Sequence, residues 1–171
     1  MLNKYNELLK IAQEEYPSLY NELIFIEEDQ EFSVTTSMGI HCIYTTTLKR
    51  DNYQLWLENY LNTEYGLNAS EHMYFNFHEA FAFLHEVGHI YYNDMNYDVE
   101  TIYKNYKEKT YKNYEEAWKA YRQLENEKIA DQFAVTIMEK HIYKIWAIMN
   151  DTTEEQAKKE YEVWNIWNME E

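Results

Sequence analysis

The spacing of apolar residues changes along the first part of the chain from a helical to a strand-like pattern. Residues 3–15 place apolar side chains three and four positions apart, which predicts an amphipathic helix that ends before Pro17. Runs rich in β-branched and aromatic residues follow at 23–26, 32–36 and 40–47, with polar or glycine-containing turns between them. We expect these three runs to form a small antiparallel sheet.

Helical periodicity dominates the rest of the sequence. The polar stretch 93–112 interrupts it and predicts a loop with some helix, which would form a lid if it lay over a cleft. No stretch marks a domain boundary, so residues 1–171 are predicted to form one α+β domain. It would be mostly helical, with the small antiparallel sheet ahead of the second long helix. The predicted helices cover residues 52–65, 70–92, 113–148 with one break allowed, and a last segment opened by the capping box Thr152-x-x-Glu155.

Composition narrows the classes of partner and compartment. The formal net charge of −16 disfavours nucleic acid and anionic membranes as partners and favours basic peptide segments. The single cysteine, Cys42, excludes a disulfide framework and a cysteine-based zinc finger. The sequence contains neither a signal-peptide pattern nor an apolar run long enough to span a membrane, so we expect a cytoplasmic protein.

The motif His85-Glu86-Val-Gly-His89 lies within the helix predicted at 70–92. Residues four apart on a helix share a face, so both imidazoles point the same way. Two such imidazoles can bind one Zn²⁺, and Glu86 beside them can take a proton from a water molecule. The motif therefore predicts a zinc site that still needs a third protein ligand.

Glu127 is the candidate for that ligand, because Asp131 follows it by one helical turn. The Asp131 carboxylate can bind the far nitrogen of a ligand histidine and fix its tautomer. A Glu-x-x-x-Asp pair on a second helix is typical of zinc sites with two histidines, one glutamate and water. Glu125 is the nearest rival, since it would lie about half a turn away. The other glutamates considered lack an aspartate four residues later: Glu100, Glu108, Glu115 and Glu116.

Two other classes of metallohydrolase fit less well. A metzincin would continue the motif with glycine and a third histidine, where this chain has Tyr92 and Met95. A peptide deformylase would take an upstream cysteine as ligand. Cys42 lies upstream, but its context, Gly39-Ile-His-Cys-Ile, does not match the motif of that family.

Two segments together resemble a known group of peptidases. Residues 83–90, Phe-Leu-His-Glu-Val-Gly-His-Ile, followed by Glu127-x-x-Ala-Asp131-Gln-Phe-Ala, resemble the ImmA/IrrE-type metallo-endopeptidases. They are also similar to the phage-exclusion (Lit-type) peptidases. The resemblance implies a small zincin-like fold, His85, His89 and Glu127 as zinc ligands, and Glu86 as general base. The helix-turn-helix that often accompanies the first group is missing here.

The leading hypothesis is a zinc-dependent endopeptidase that acts on a specific, regulatory protein in a bacterial or phage setting. Its partners would be a protein or peptide substrate and Zn²⁺. The alternative hypothesis is a non-enzymatic acidic binding protein, an inhibitor or DNA mimic, with a structural zinc site. Glu86 favours the enzyme, because a structural site needs no general base.

Overall fold

Helices dominate the part of the chain that the structure describes. The computed structural model describes the backbone of residues 2–19, 23–27, 33–37, 40–45, 63–64, 71–93 and 98–168, and the side chains of residues 4–19, 63–64, 79–91 and 98–161. Its helices are α1 (Leu2–Glu15), α2 (Glu71–Asn93), α3 (Val99–Lys107), α4 (Tyr114–Arg122), α5 (Glu125–Lys140), α6 (Ile142–Met149) and α7 (Glu154–Asn168). No helix in these ranges combines the length and the hydropathy needed to cross a membrane.

The predicted antiparallel sheet is wrong. The strands β1 (Leu23–Glu27), β2 (Ser33–Ser37) and β3 (Ile40–Thr45) lie in the order β1-β3-β2, and β3 runs parallel to β1 and antiparallel to β2. Every regular element whose side chains the structure describes is a helix. In a simple antiparallel sheet of three consecutive strands, each strand pairs with the next one in the chain, whereas here β1 pairs with β3. The unbroken apolar run of β1 is typical of a parallel strand, and the sequence prediction did not use it.

Helix α1 is confirmed over the range that its apolar spacing predicted. It packs against α2, α5 and α6, and the ring of Tyr5 stacks on Phe83 of α2 with centroids 5.0 Å apart. At its end Glu15 forms an ion pair with Lys140, and its carboxylate lies 2.9 Å from Nε2 of His141. Its buried apolar side chains are Tyr5, Leu8, Leu9, Ile11 and Ala12.

Helices α2 and α5 share the most extensive helix interface, and Gly88 allows it. A Cβ placed on Gly88 would lie 2.9 Å from Cα and 3.0 Å from the carbonyl oxygen of Ala130, and 3.2 Å from Cβ of Phe133. Two of these three atoms belong to the backbone and cannot rotate away, so the close approach requires glycine. The approach brings the motif-bearing turns of α2 against α5.

The helical stretch predicted over 113–148, with one break allowed, is three helices. The first break lies at Gln123 and Leu124, where Leu124 has extended backbone with φ −61° and ψ 143°. The second lies at His141. The prediction allowed one break, and the structure has two. They were hard to predict, because neither break contains glycine or proline, the residues that usually mark a break in a sequence.

The last helix begins one residue later than the predicted capping box requires. Its cap is Thr153, whose Oγ1 accepts a hydrogen bond from the amide of Gln156 at 3.2 Å. A threonine followed three residues later by glutamine satisfies the same rule as the predicted pair. The helix predicted over 52–65 lies outside the described residues, except for 63–64, which are helical.

Candidate metal centre

Four polar side chains meet where α2 packs on α5. His85 and His89 are one turn apart on α2, and Glu127 and Asp131 are one turn apart on α5. His85, Glu127 and Asp131 are buried, and His89 is partly exposed. The close approach at Gly88 therefore presents two imidazoles to two carboxylates, as the spacing of the sequence predicts.

Donor atoms of His85, His89 and Glu127 lie close enough together to serve one metal ion. The Nε2 atoms of His85 and His89 lie 3.0 Å apart. Glu127 presents one carboxylate oxygen to each: Oε2 is 3.2 Å from Nε2 of His85, and Oε1 is 3.5 Å from Nε2 of His89. Ligands at about 2.0–2.1 Å from a tetrahedral zinc ion lie roughly 3.3 Å from one another. A metal ion can be held here.

The charges around these donor atoms also favour a cation. Nδ1 of His85 lies 2.9 Å from Oδ1 of Asp131. A ring nitrogen that faces a carboxylate carries the proton, so Nε2 of neutral His85 presents its lone pair to the Glu127 carboxylate. Burial and the Arg122 charge act to lower the pKa of His85, but Asp131 and Glu127 outweigh them and raise the pKa to about 9. The site therefore attracts positive charge, as a proton or as a metal ion.

Glu86 lies beside these ligands on α2 and is partly exposed. Burial raises the pKa of its carboxyl, while His85 and His89 act to lower it. A carboxylate that is not itself a ligand and remains open to solvent can accept a proton from a water molecule in the site. The role of general base that the motif predicts for Glu86 remains a prediction.

The ligand carboxylate is fixed by three further side chains. Tyr103 donates a hydrogen bond of 2.6 Å to Oε1 of Glu127, and Nδ2 of Asn126 donates one of 3.1 Å to the same oxygen. Arg122 donates from one guanidinium nitrogen to Oε2 at 3.4 Å. Burial acts to raise the pKa of Glu127, but the hydrogen bonds of His85 and His89 hold it well below its usual range. Glu127 is therefore an ionised carboxylate that could bind a metal ion.

The sequence prediction missed most of this network. It named Tyr103 only within a tyrosine-rich stretch, and it did not single out Arg122 or Asn126. These residues come from α3, from the end of α4 and from the start of α5, so no helical spacing connects all three to the motif. The only local signal in the sequence was that Asn126 is adjacent to Glu127, the predicted ligand.

The rival ligands lie elsewhere or outside the described side chains. Glu125 is exposed, whereas Glu127 is fully buried. Two other residues to consider are Cys42 and His78, a histidine two helical turns before His85, and the side chains of both lie outside the described residues. The remaining glutamates considered as ligands are exposed: Glu100, Glu108, Glu115 and Glu116.

The stretch predicted as a loop with some helix contains α3, which lies next to the site. The rings of Tyr103 and Tyr106 pack on Tyr121 with centroids 6.1 and 5.8 Å apart. The Tyr106 hydroxyl donates to the carbonyl of Ala117 at 3.0 Å. These are the contacts of a packed helix, and the lid remains a prediction.

Comparison with family models, with curated proteins and with solved structures found no match to this chain. The resemblance to the ImmA/IrrE-type and Lit-type peptidases therefore remains a prediction from the two motif segments. The structure adds that a buried group of His85, His89 and Glu127 could hold a metal ion.

Proposed function

We propose that the protein is a zinc-dependent endopeptidase with two histidine ligands and one glutamate ligand. The observation that carries the proposal is the short distance between donor atoms: the two imidazole Nε2 atoms lie 3.0 Å apart, and each lies 3.2 or 3.5 Å from one of the two carboxylate oxygens of Glu127. Two imidazoles and one carboxylate favour zinc among the common metal ions, because calcium and magnesium prefer oxygen ligands alone. Asp131 behind His85 adds the carboxylate that commonly orients a zinc-bound histidine.

The mechanism requires one proton acceptor and one ionised ligand from this chain. A bound zinc ion would polarise the scissile carbonyl and increase the acidity of water. Glu86 accepts a proton from the attacking water as its oxygen bonds to the carbonyl carbon. Glu86 then transfers that proton to the peptide nitrogen, and the carbon–nitrogen bond breaks to give a carboxylic acid, which keeps the other proton of the water, and an amine. Glu127 remains ionised throughout, held by Tyr103 and Asn126.

Partial exposure supports a catalytic rather than a structural site. Structural zinc sites are closed by four protein ligands, whereas catalytic sites keep one position for water or substrate. In the described part of the chain the group of possible ligands has three members, and Glu86 and His89 are partly exposed. The proposal extends, through the resemblance alone, to a specific protein substrate in a bacterial or phage setting.

The test combines metal analysis with a substitution at the base. Wild-type protein and Glu86→Gln should both contain one zinc ion per chain, measured by mass spectrometry of the metal. Wild type should cleave a proteome-derived peptide library, and Glu86→Gln should lose about two to four orders of magnitude in rate. Glu125→Gln, an exposed carboxylate, should cleave like wild type. Zinc binding without any cleavage that depends on Glu86 would favour the structural alternative.

A further inference from the structure

Arg122 is a buried cation that contacts two carboxylates of the metal centre at once. It is the last residue of α4, and only 3% of its surface is exposed. Nη1 of the guanidinium lies 3.4 Å from Oε2 of Glu127, and Nη2 forms an ion pair with Oδ1 of Asp131. Arg122 thereby links the carboxylate that faces both histidines to the carboxylate behind His85.

A break in the chain makes this contact possible. In an unbroken helix, residues five apart point about 140° away from each other, so Arg122 could not reach Glu127. The extended backbone of Leu124 ends α4 and starts α5 in a new direction. The guanidinium can then return to the buried face of α5, where Glu127 and Asp131 lie one turn apart.

The planar fork of arginine suits this position better than a lysine ammonium does. Its nitrogens are held in a fixed geometry and can serve two acceptors at the same time. Asp131 contacts Nδ1 of His85 as well as Arg122, so its position bears on the orientation of that ring. The oxygen of Glu127 that Arg122 contacts is also the one that faces His85.

Arg122 is also buried together with the two carboxylates that it contacts. Removing one member of a buried group of charges is strongly unfavourable, so loss of Arg122 should also lower the stability of this interface.

We propose that Arg122 is a positioning residue of the metal centre, which fixes Glu127 and, through Asp131, the ring of His85 in the geometry that binds the ion. This inference rests on the proposed metal site but not on peptidase activity. Positioning and charge compensation predict opposite effects on affinity. A residue that only compensated charge would repel the metal ion, so its removal would tighten binding, whereas loss of a positioning residue weakens binding.

The test compares Arg122→Met and Arg122→Lys with wild type in zinc competition against a chelating dye and in cobalt absorption spectra. Both variants should lose zinc affinity by about tenfold or more, as is usual when a group that orients a ligand is removed. The visible bands of the cobalt form should shift in both, because the ligand geometry changes. Lys119→Met removes one positive charge from the exposed face of the same helix and should match wild type in both measurements.

Each outcome decides a separate point. Wild-type affinity or tighter binding in Arg122→Met, with an unchanged cobalt spectrum, overturns the positioning role. Full recovery by Arg122→Lys does the same, because a charge without the fork would then suffice. Arg122→Lys keeps the buried charge and serves as the test should Arg122→Met fail to fold, as judged by circular dichroism. Failure of wild type to bind either metal would refute the metal site itself.

Discussion

Gly88→Ala changes the distance between the two helices that carry the site. The new Cβ would lie 2.9 Å from Cα of Ala130, whereas ordinary van der Waals contact begins at 3.4 Å. The helices must therefore separate locally by about 0.5 Å, or one must rotate. Since metal–ligand distances tolerate about 0.2 Å, Glu127 would no longer lie within reach of both histidines.

The expected effect on stability is small, and the effect on metal affinity is large. Overpacking costs about 1–3 kcal/mol, but alanine is favoured over glycine inside a helix by about 1 kcal/mol. The net loss in the free energy of unfolding is therefore about 0–2 kcal/mol. Zinc affinity should fall by about ten- to a hundredfold, because the ligand set is no longer held at the right spacing.

The assay is zinc competition with a chelating dye, together with thermal denaturation with and without zinc. Ala157→Val is the matched control, because it overpacks a fully buried position on α7 rather than between α2 and α5. It should lower the melting temperature and keep wild-type zinc affinity. If Gly88→Ala bound zinc as tightly as wild type, the close approach of the helices would not be what assembles the ligands.

Three further predictions address the ligand, a cap and a surface ion pair. Glu127→Ala should lose zinc on dialysis and Glu125→Ala should keep it; equal retention would contradict the ligand assignment. Thr153→Ala should lower the free energy of unfolding by about 1 kcal/mol in urea titrations. The control Thr152→Ala should have little effect. Hydrogen bonds hold the pKa of Glu15 below its usual range, and the bond from Lys140 has a larger effect than the bond with His141. The stabilisation that ionised Glu15 contributes is therefore fully present above the pKa that Glu15 has in the unfolded chain. It is lost as the pH falls through the lower pKa that Glu15 has in the folded protein. Melting curves of Glu15→Gln should depend less on acidic pH than those of wild type.

The periodicity of the sequence predicted correctly the features that are determined by residues close together in the chain. Helix α2 extends over Glu71–Asn93, within a residue of the predicted range at either end. Within it, the four-residue spacing of His85 and His89 determines that their rings share a face. The same spacing applies to Glu127 and Asp131 on α5. Each pair could be read from the sequence because a helix fixes the relation of its own residues.

Features that depend on distant segments were not predicted. Alternation along a strand reports which face is buried but not which strand pairs with it, so the parallel pairing of β1 with β3 was missed. Likewise, nothing in residues 122–127 taken alone indicates that the chain bends at Leu124. Arg122 remained hidden for this reason, since its role depends on the direction of the following helix.

Two backbone features therefore position the site, and they act on different parts of it. Gly88 sets how closely α2 approaches α5, and so controls the distance from the histidines to Glu127. The bend at Leu124 sets the direction in which Arg122 points, and so controls the orientation of the two carboxylates. A tetrahedral ion requires both a correct distance and a correct direction from each ligand. The H-E-x-x-H motif supplies donor atoms, but their assembly into one centre depends on these two features of the surrounding chain.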